Sequence, residues 1–243
     1  MDGRRMTESP RREGESDLNG YLATFLGTVD YLRGWRMQRR LHGQVADGAL
    51  PNLLLLLEHP HVYTLGRRGK ATDILADAQT LLDLGVEVHH VDRGGEVTYH
   101  GPGQLVAYPI VDLRAWGDGP LRYVRTLEDA LTATLAEFGI RAENADRPTG
   151  VWAGDAKIAA IGVRVSRGVT MHGLAINVCP DLSFFDRIVP CGMPDGRVTS
   201  MSALLSEKVR VGQVVPVLAR HFGRAFGWRM EWASAEELVG STA

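Results

Sequence analysis

Cysteine is scarce in this 243-residue chain, which has only Cys179 and Cys191. Two thiols cannot staple a disulfide framework, so a small cross-linked extracellular module is excluded and a reducing compartment is expected. A Cys179–Cys191 bridge is disfavoured for the same reason. Long apolar runs are also missing. The longest, Leu53 to Leu57 with its neighbours, falls far short of the ~20 residues a membrane span needs. The charged N-terminus has no apolar h-region, so it does not read as a secretory signal. Nor is there an excess of one charge: the formal net charge of -2 offers no steering toward nucleic acid or an anionic membrane. The cytoplasm is the expected location.

Phosphate-binding signatures fail as well. Gly66-Arg67-Arg68-Gly69-Lys70 is not a P-loop, because Thr64 stands where the first glycine belongs and Ala71 replaces the Ser or Thr. No G-x-G-x-x-G opens a helix after a strand, which removes the dinucleotide fingerprint. Lysine is nearly absent: of 27 basic residues only Lys70, Lys157 and Lys208 are lysines. Arginine stays charged at any working pH, whereas a lysine can exchange a proton, so Lys157 is marked for inspection.

What remains is ordinary for a folded soluble protein, with 44% hydrophobic and 23% charged residues. Residues 1–17 are polar, charged and without periodicity, and read as a disordered leader. Residues 18–243 read as a single domain without an internal linker. Strands are expected at Tyr21–Thr28, Asn52–Glu58, Val62–Leu65, Val86–Val91, Leu105–Val111, Gly150–Ala153, Lys157–Val165 and Met171–Val178. The last two form a hairpin around Ser166-Arg167-Gly168. Helices are expected from an Asp30 N-cap to about Ala46, over Thr72–Leu84, Leu121–Phe138, Ser202–Ser206 and Val211–Phe226. Strand pairs with interspersed helices, lacking βαβ alternation, predict an α+β fold with a mixed sheet flanked by helices.

Three segments carry chemistry. Arg93-Gly94-Gly95-Glu96-Val97-Thr98-Tyr99-His100-Gly101-Pro102-Gly103-Gln104 holds four glycines, which let backbone approach a ligand closely, or which form a tight surface turn. In Lys157-Ile158-Ala159-Ala160-Ile161-Gly162-Val163-Arg164, period-two alternation puts Lys157 on the face of Ala159, Ile161 and Val163. A desolvated ammonium there gives up its proton more readily; the other reading is a strand-end lysine reaching to water. In Pro190-Cys191-Gly192 the flanking residues set the thiol on a turn; a reactive thiol needs such access and a nearby cation or proton acceptor, whereas a lone turn cysteine is more often inert.

With His172-Gly173-Leu174-Ala175-Ile176-Asn177 added, these ordered motifs resemble the octanoyltransferases of lipoate biosynthesis, over roughly residues 21–226. The resemblance implies the biotin/lipoate ligase-like fold. It implies Cys191 as the acyl-thioester nucleophile and Lys157 as the residue that activates it. It places Arg93, Gly94, Gly95, Glu96, Val97, Thr98, Tyr99, His100, Ala160, Ile161, Gly162, Gly173, Leu174 and Ala175 along the acyl chain. Octanoyl-acyl carrier protein is the implied donor. Lipoyl domains of 2-oxoacid dehydrogenase E2 subunits and the glycine cleavage H protein are the implied acceptors. No cofactor or metal is implied, neither nucleic acid nor membrane is a partner, and a monomer is expected. Gly162 and Gly173 are expected to keep a narrow slot open for a straight alkyl chain.

Passing a thioester to an amide is downhill, so ATP is not required, in keeping with the missing phosphate loop. The nearest rival is an ATP-dependent lipoate or biotin ligase on the same fold, which would not need Cys191. Others are a Cys–His hydrolase using His100 or His172, and a metal protein using His59, His61, His89, His90 and His100. Arg33, Arg36, Arg39 and Arg40 are candidates for a basic docking patch or a solvated helix face.

Overall fold

A computed structural model describes residues 20–144, 147–189, 197–205 and 207–239. Strand β1 (Gly20–Thr28) gives way to helix α1 (Tyr31–Ala46) at Asp30, whose carboxylate accepts from the Arg33 amide as N-cap. Strands β2 (Asn52–Glu58) and β3 (Val62–Leu65) follow, then a 3₁₀ turn at Ala71–Asp73 and helix α2 (Ala78–Asp83). Next come β4 (Glu87–His90), β5 (Val97–His100), β6 (Gln104–Ile110), α3 (Leu113–Trp116) and α4 (Pro120–Glu137). Strand β7 (Val151–Ala153), the hairpin β8 (Ala156–Ser166) and β9 (Val169–Asn177), and a 3₁₀ segment Leu182–Arg187 lead to β10 (Arg197–Val198). The chain continues through α5 (Met201–Leu204), α6 (Val211–Phe226), β11 (Arg229–Trp232) and α7 (Ala235–Val239).

The main sheet has the strand order β10-β8-β9-β6-β2-β1-β11, with β7 added alongside β8. It is mixed: β1 runs parallel to β2 and β11, whereas β2, β6, β9 and β8 alternate antiparallel. Its central strand is buried on both faces, which is why Asn52–Glu58 reads as a leucine run. Leu54 and Leu56 pack with Leu127, Leu131 and Leu135 of α4 and Val214, Leu218 and Phe222 of α6, spaced four apart on one helical stripe. Leu53, Leu55 and Leu57 face the opposite way, onto Leu41 and Val45 of α1. A smaller sheet, β4-β3-β5, packs its own core of Tyr63, Tyr99, Phe184 and Phe185.

The β8–β9 hairpin turns on two residues with positive φ, Arg167 at 52° and Gly168 at 77°, as a type I′ turn requires. Two expectations fail. The helix anticipated over Thr72–Leu84 is broken, because Ile74 pairs with Ile188 and the Leu75 amide bonds the Arg187 carbonyl, so α2 starts only after the Asp77 N-cap. The glycine-rich stretch is not all loop: Val97–His100 pairs antiparallel with β3 and only its flanks turn. Helix α5 spans Met201–Leu204, and Ser206 lies outside the described residues.

Candidate active site

A cavity, open to solvent, lies on the α1 side of the main sheet. Its floor is β6, β8 and β9, its rim is the glycine-rich segment, and Tyr31 of α1 closes one side. Arg93, Gly95, Glu96, Val97, Thr98, His100, Lys157, Ala160, Ile161, Gly162, Gly173, Leu174 and Ala175 all line it. Gly94 and Tyr99 do not. The Gly94 amide is spent on the Val163 carbonyl, 2.9 Å away. The Tyr99 ring turns into the small-sheet core, where it stacks on Phe184 and meets His61 through its hydroxyl. Cys191 lies outside the described residues, together with Pro190 and Gly192. The lining also holds Tyr31, Val106, Tyr108, Thr149 and His172, which were not among the expected site residues.

Lys157 reaches the cavity by a route that alternation misses. Between β7 and β8 the register slips: Val151 faces Ala159 but Trp152 faces Lys157, which leaves Ile158 as a bulge residue. Consecutive Ile158 and Ala159 both pack into the α4–α6 core, while Lys157, Ala160 and Gly162 line the cavity. Of the expected sharing of a face with Ala159, Ile161 and Val163, Ala159 and Val163 are corrected, while Ile161 does line the cavity with Lys157. Lys157 is 8% exposed. Its ammonium donates to the Thr149 carbonyl at 3.3 Å and stands 4.9 Å from the Trp152 ring centre. Gly150 has φ +129°, and a Cβ there would fall 2.7 Å from the Ala159 carbonyl and 3.3 Å from Lys157 Cε. Only glycine lets the lysine stem pass. The Gly150 amide in turn donates to Glu128, a carboxylate buried on α4 and also bonded by Arg125.

Arg93 is buried and acts as a clamp. Its guanidinium donates to the Thr64 carbonyl at 2.6 Å, the Thr64 hydroxyl, the Gly94 carbonyl and the Glu96 carbonyl at 2.8 Å. The glycine-rich segment is thereby tied to β3. A Cβ on Gly162 would meet Arg93 Cδ and the Gly94 carbonyl, both at 3.1 Å. One on Gly173 would sit 2.1 Å from the Ala107 carbonyl of β6. These glycines line the cavity and also admit close backbone and side-chain neighbours.

The polar groups are oriented by a network. The Gln104 amide nitrogen donates to the Tyr99 carbonyl and to Asn177 Oδ1, so its oxygen accepts from His100 Nδ1 at 2.7 Å. That fixes the His100 tautomer and leaves Nε2 with its lone pair. His59 donates from Nδ1 to the Val29 carbonyl and accepts from the Tyr108 hydroxyl at 2.7 Å. Burial pushes His59 down to about 4 and His100 down to about 3, so both rings are neutral at physiological pH. Tyr31 stacks parallel to His100 and His89. Burial also lowers His172, whose Nε2 donates to Asp92 at 2.7 Å. That bond is the main reason the Asp92 carboxyl titrates below the usual carboxylate range.

The family model for the lipoyl protein ligase A/B catalytic domain matches residues 30–223. An octanoyltransferase of Acidobacterium capsulatum is 46% identical over 85% of this chain and 90% of its own length. The chain belongs to the octanoyltransferase family. Another member, from Gloeobacter violaceus, is 48% identical over 88% of this chain and 93% of its own length. A mitochondrial octanoyltransferase of Arabidopsis thaliana is 43% identical over 81% and 86%. The chain also shares its fold with solved ligases. A bi-partite lipoate protein ligase of Thermoplasma acidophilum superposes with a TM-score of 0.71 at 17% identity, covering 91% of this chain and 89% of that one. A lipoate-protein ligase A solved with ATP gives 0.69 at 20% identity, covering 90% and 92%. The expected mixed sheet flanked by helices is thus the observed fold. No helix among the described residues is long and apolar enough to cross a membrane.

Proposed function

We propose that this acyltransferase moves an octanoyl or lipoyl group from acyl carrier protein to a lysine of a lipoyl domain, through a thioester on Cys191. The observation that carries the reading is Lys157, a buried ammonium lining the cavity of a chain in the octanoyltransferase family. Cys191 and Lys157 are the proposed catalytic pair. A free thiol is mostly protonated near pH 7, and an adjacent cation favours the thiolate. In the first step the Cys191 thiolate attacks the acyl carbonyl, the carrier's thioester bond breaks, and the carrier sulfur leaves as a thiol with the proton that the Lys157 ammonium gives up. In the second, the acceptor amine attacks the acyl-enzyme, giving an amide and releasing the Cys191 thiolate. The now neutral Lys157 takes up the proton that the amine releases, which restores the ammonium–thiolate pair. Neither step needs ATP or a metal.

The residues that line the cavity are proposed to hold the acyl chain, with apolar contact from Val106, Ala160, Leu174 and Ala175. The E2 lipoyl domains and the glycine cleavage H protein are the proposed acceptors, the cytoplasm the proposed location, and a monomer the proposed state. Residues 18–243 are proposed as one catalytic domain; the leader expected over residues 1–17 lies outside the described residues. Incubation with octanoyl-acyl carrier protein and a lipoyl domain, without ATP, should add one octanoyl group to the acceptor, and Cys191→Ser should abolish this. Acylation that appears only with ATP and free octanoic acid would identify a ligase instead.

A further inference from the structure

His172 is strained, and its strain is held from two sides. Within β9 its backbone has φ +58°, which a side chain other than glycine, asparagine or aspartate seldom adopts. Its amide bonds the Gln38 side-chain oxygen of α1 at 2.8 Å rather than a strand neighbour. Its ring is fixed through Nε2 to Asp92, and Asp92 is held by Arg164 at 2.5 Å. The ring is 2% exposed and lines the cavity. A constraint this elaborate at a cavity wall asks what the imidazole meets there.

Its position answers. The cross-strand partner of His172 is Val163, six positions along β8 from Lys157. At about 3.3 Å per residue, less the bulge, the two side chains root roughly 16–20 Å apart. His172 therefore stands too far from Lys157 to exchange protons at the acyl carbonyl, and is at the end where the tail of a bound chain would lie. At this end Arg93 and the Gly94 carbonyl lie against Gly162, and the Gly94 amide bonds the Val163 carbonyl at 2.9 Å. Behind the imidazole stands Trp35, its ring centre 6.3 Å away.

We infer that His172 is the stop that limits how long an acyl chain the cavity accepts, with Asp92 as its positioning residue. The inference rests on the proposed acyl-enzyme reading, which puts the reacting carbonyl at the Lys157 end. Replacing the imidazole opens the slot toward Trp35 without disturbing the thiol chemistry.

The test is a panel of six-, eight-, ten- and twelve-carbon acyl-carrier thioesters, with acyl-enzyme formation followed by intact mass. His172→Gly relaxes the backbone at this φ, and His172→Asn tolerates it, so both keep the strand. The ten- to eight-carbon rate ratio should rise roughly tenfold or more in both, the discrimination that one or two methylenes give in a fitted pocket. Asp92→Asn should raise the same ratio less. A merely structural role would slow all donors alike. An unchanged ratio in the two folded His172 variants would overturn the inference. An unsubstituted enzyme that forms no adduct with any donor would overturn the acyl-enzyme reading beneath it.

Discussion

Glu128 fixes the partner of Lys157 from one peptide away. The carboxylate accepts the Gly150 amide at 3.0 Å, and the neighbouring Thr149 carbonyl accepts the Lys157 ammonium. Glu128→Ala leaves the Gly150 amide and Asn144 without this acceptor inside the protein. The expected cost is about 1–3 kcal/mol of stability. Because the Thr149 carbonyl loses its register, octanoyl-enzyme formation should slow by roughly tenfold or more, the loss a misplaced catalytic group produces. Urea unfolding and rapid-quench mass spectrometry check the two halves separately.

The buried imidazoles predict an acid limb of stability. His59 and His100 titrate at about 4 and about 3 in the folded chain, against about 6.5 when unfolded. The unfolded chain therefore binds more protons between these limits, so stability rises with pH across that window and is lost as pH falls below about 6.5. Urea midpoints should drop steadily from pH 6.5 to pH 4.5, by on the order of 2 kcal/mol per imidazole. In His59→Asn the slope should be shallower, with His100 and His172 supplying the remainder. A flat profile in the unsubstituted chain would contradict the burial argument.

Three glycines separate sterics from backbone strain. Gly173→Ala places a Cβ 2.1 Å from the Ala107 carbonyl and must push β6 from β9, at a cost of more than about 3 kcal/mol. Gly85→Ala meets nothing within 4 Å but keeps φ +62°, so the cost should be about 1 kcal/mol. Gly43→Ala, in open space on α1, should raise stability by about 0.5–1 kcal/mol. Thermal unfolding of the three variants orders them directly.

Arg93 offers a test of shape against charge. Its fork bonds four acceptors in three residues, Thr64, Gly94 and Glu96. Lysine keeps the charge but cannot span them. Arg93→Lys should therefore raise the KM for the acyl donor and lower the unfolding midpoint. Retention of both would mean that the guanidinium is only a charge.

Much of this was legible in the chain itself. The leucine run, the Asp30 cap and the Arg167-Gly168 turn are local signals, and each element appeared where its chemistry put it. The cavity-lining strands followed from the glycine-rich and hairpin motifs. What failed was set by long-range pairing. The bulge at Ile158 arises only because β7 lies beside β8, and it sets Lys157 in phase with Ala160 and Gly162 rather than with Ala159. The strand at Val97–His100 exists because β3 offers an edge, and the Thr72–Leu84 helix breaks because Ile188 claims Ile74. Tyr31, Tyr108 and Thr149 sit in a helix, a central strand and a loop that carry no motif, so only the folded sheet reveals them at the site.

The most direct test of the central claim is the intact mass of the purified protein after incubation with octanoyl-acyl carrier protein, for the unsubstituted chain, Cys191→Ser and Lys157→Ala. The account predicts one hydroxylamine-labile octanoyl adduct on the unsubstituted chain, none on Cys191→Ser, and an adduct that forms far more slowly on Lys157→Ala. An adduct that survives Cys191→Ser, or that forms as fast without Lys157, would contradict it.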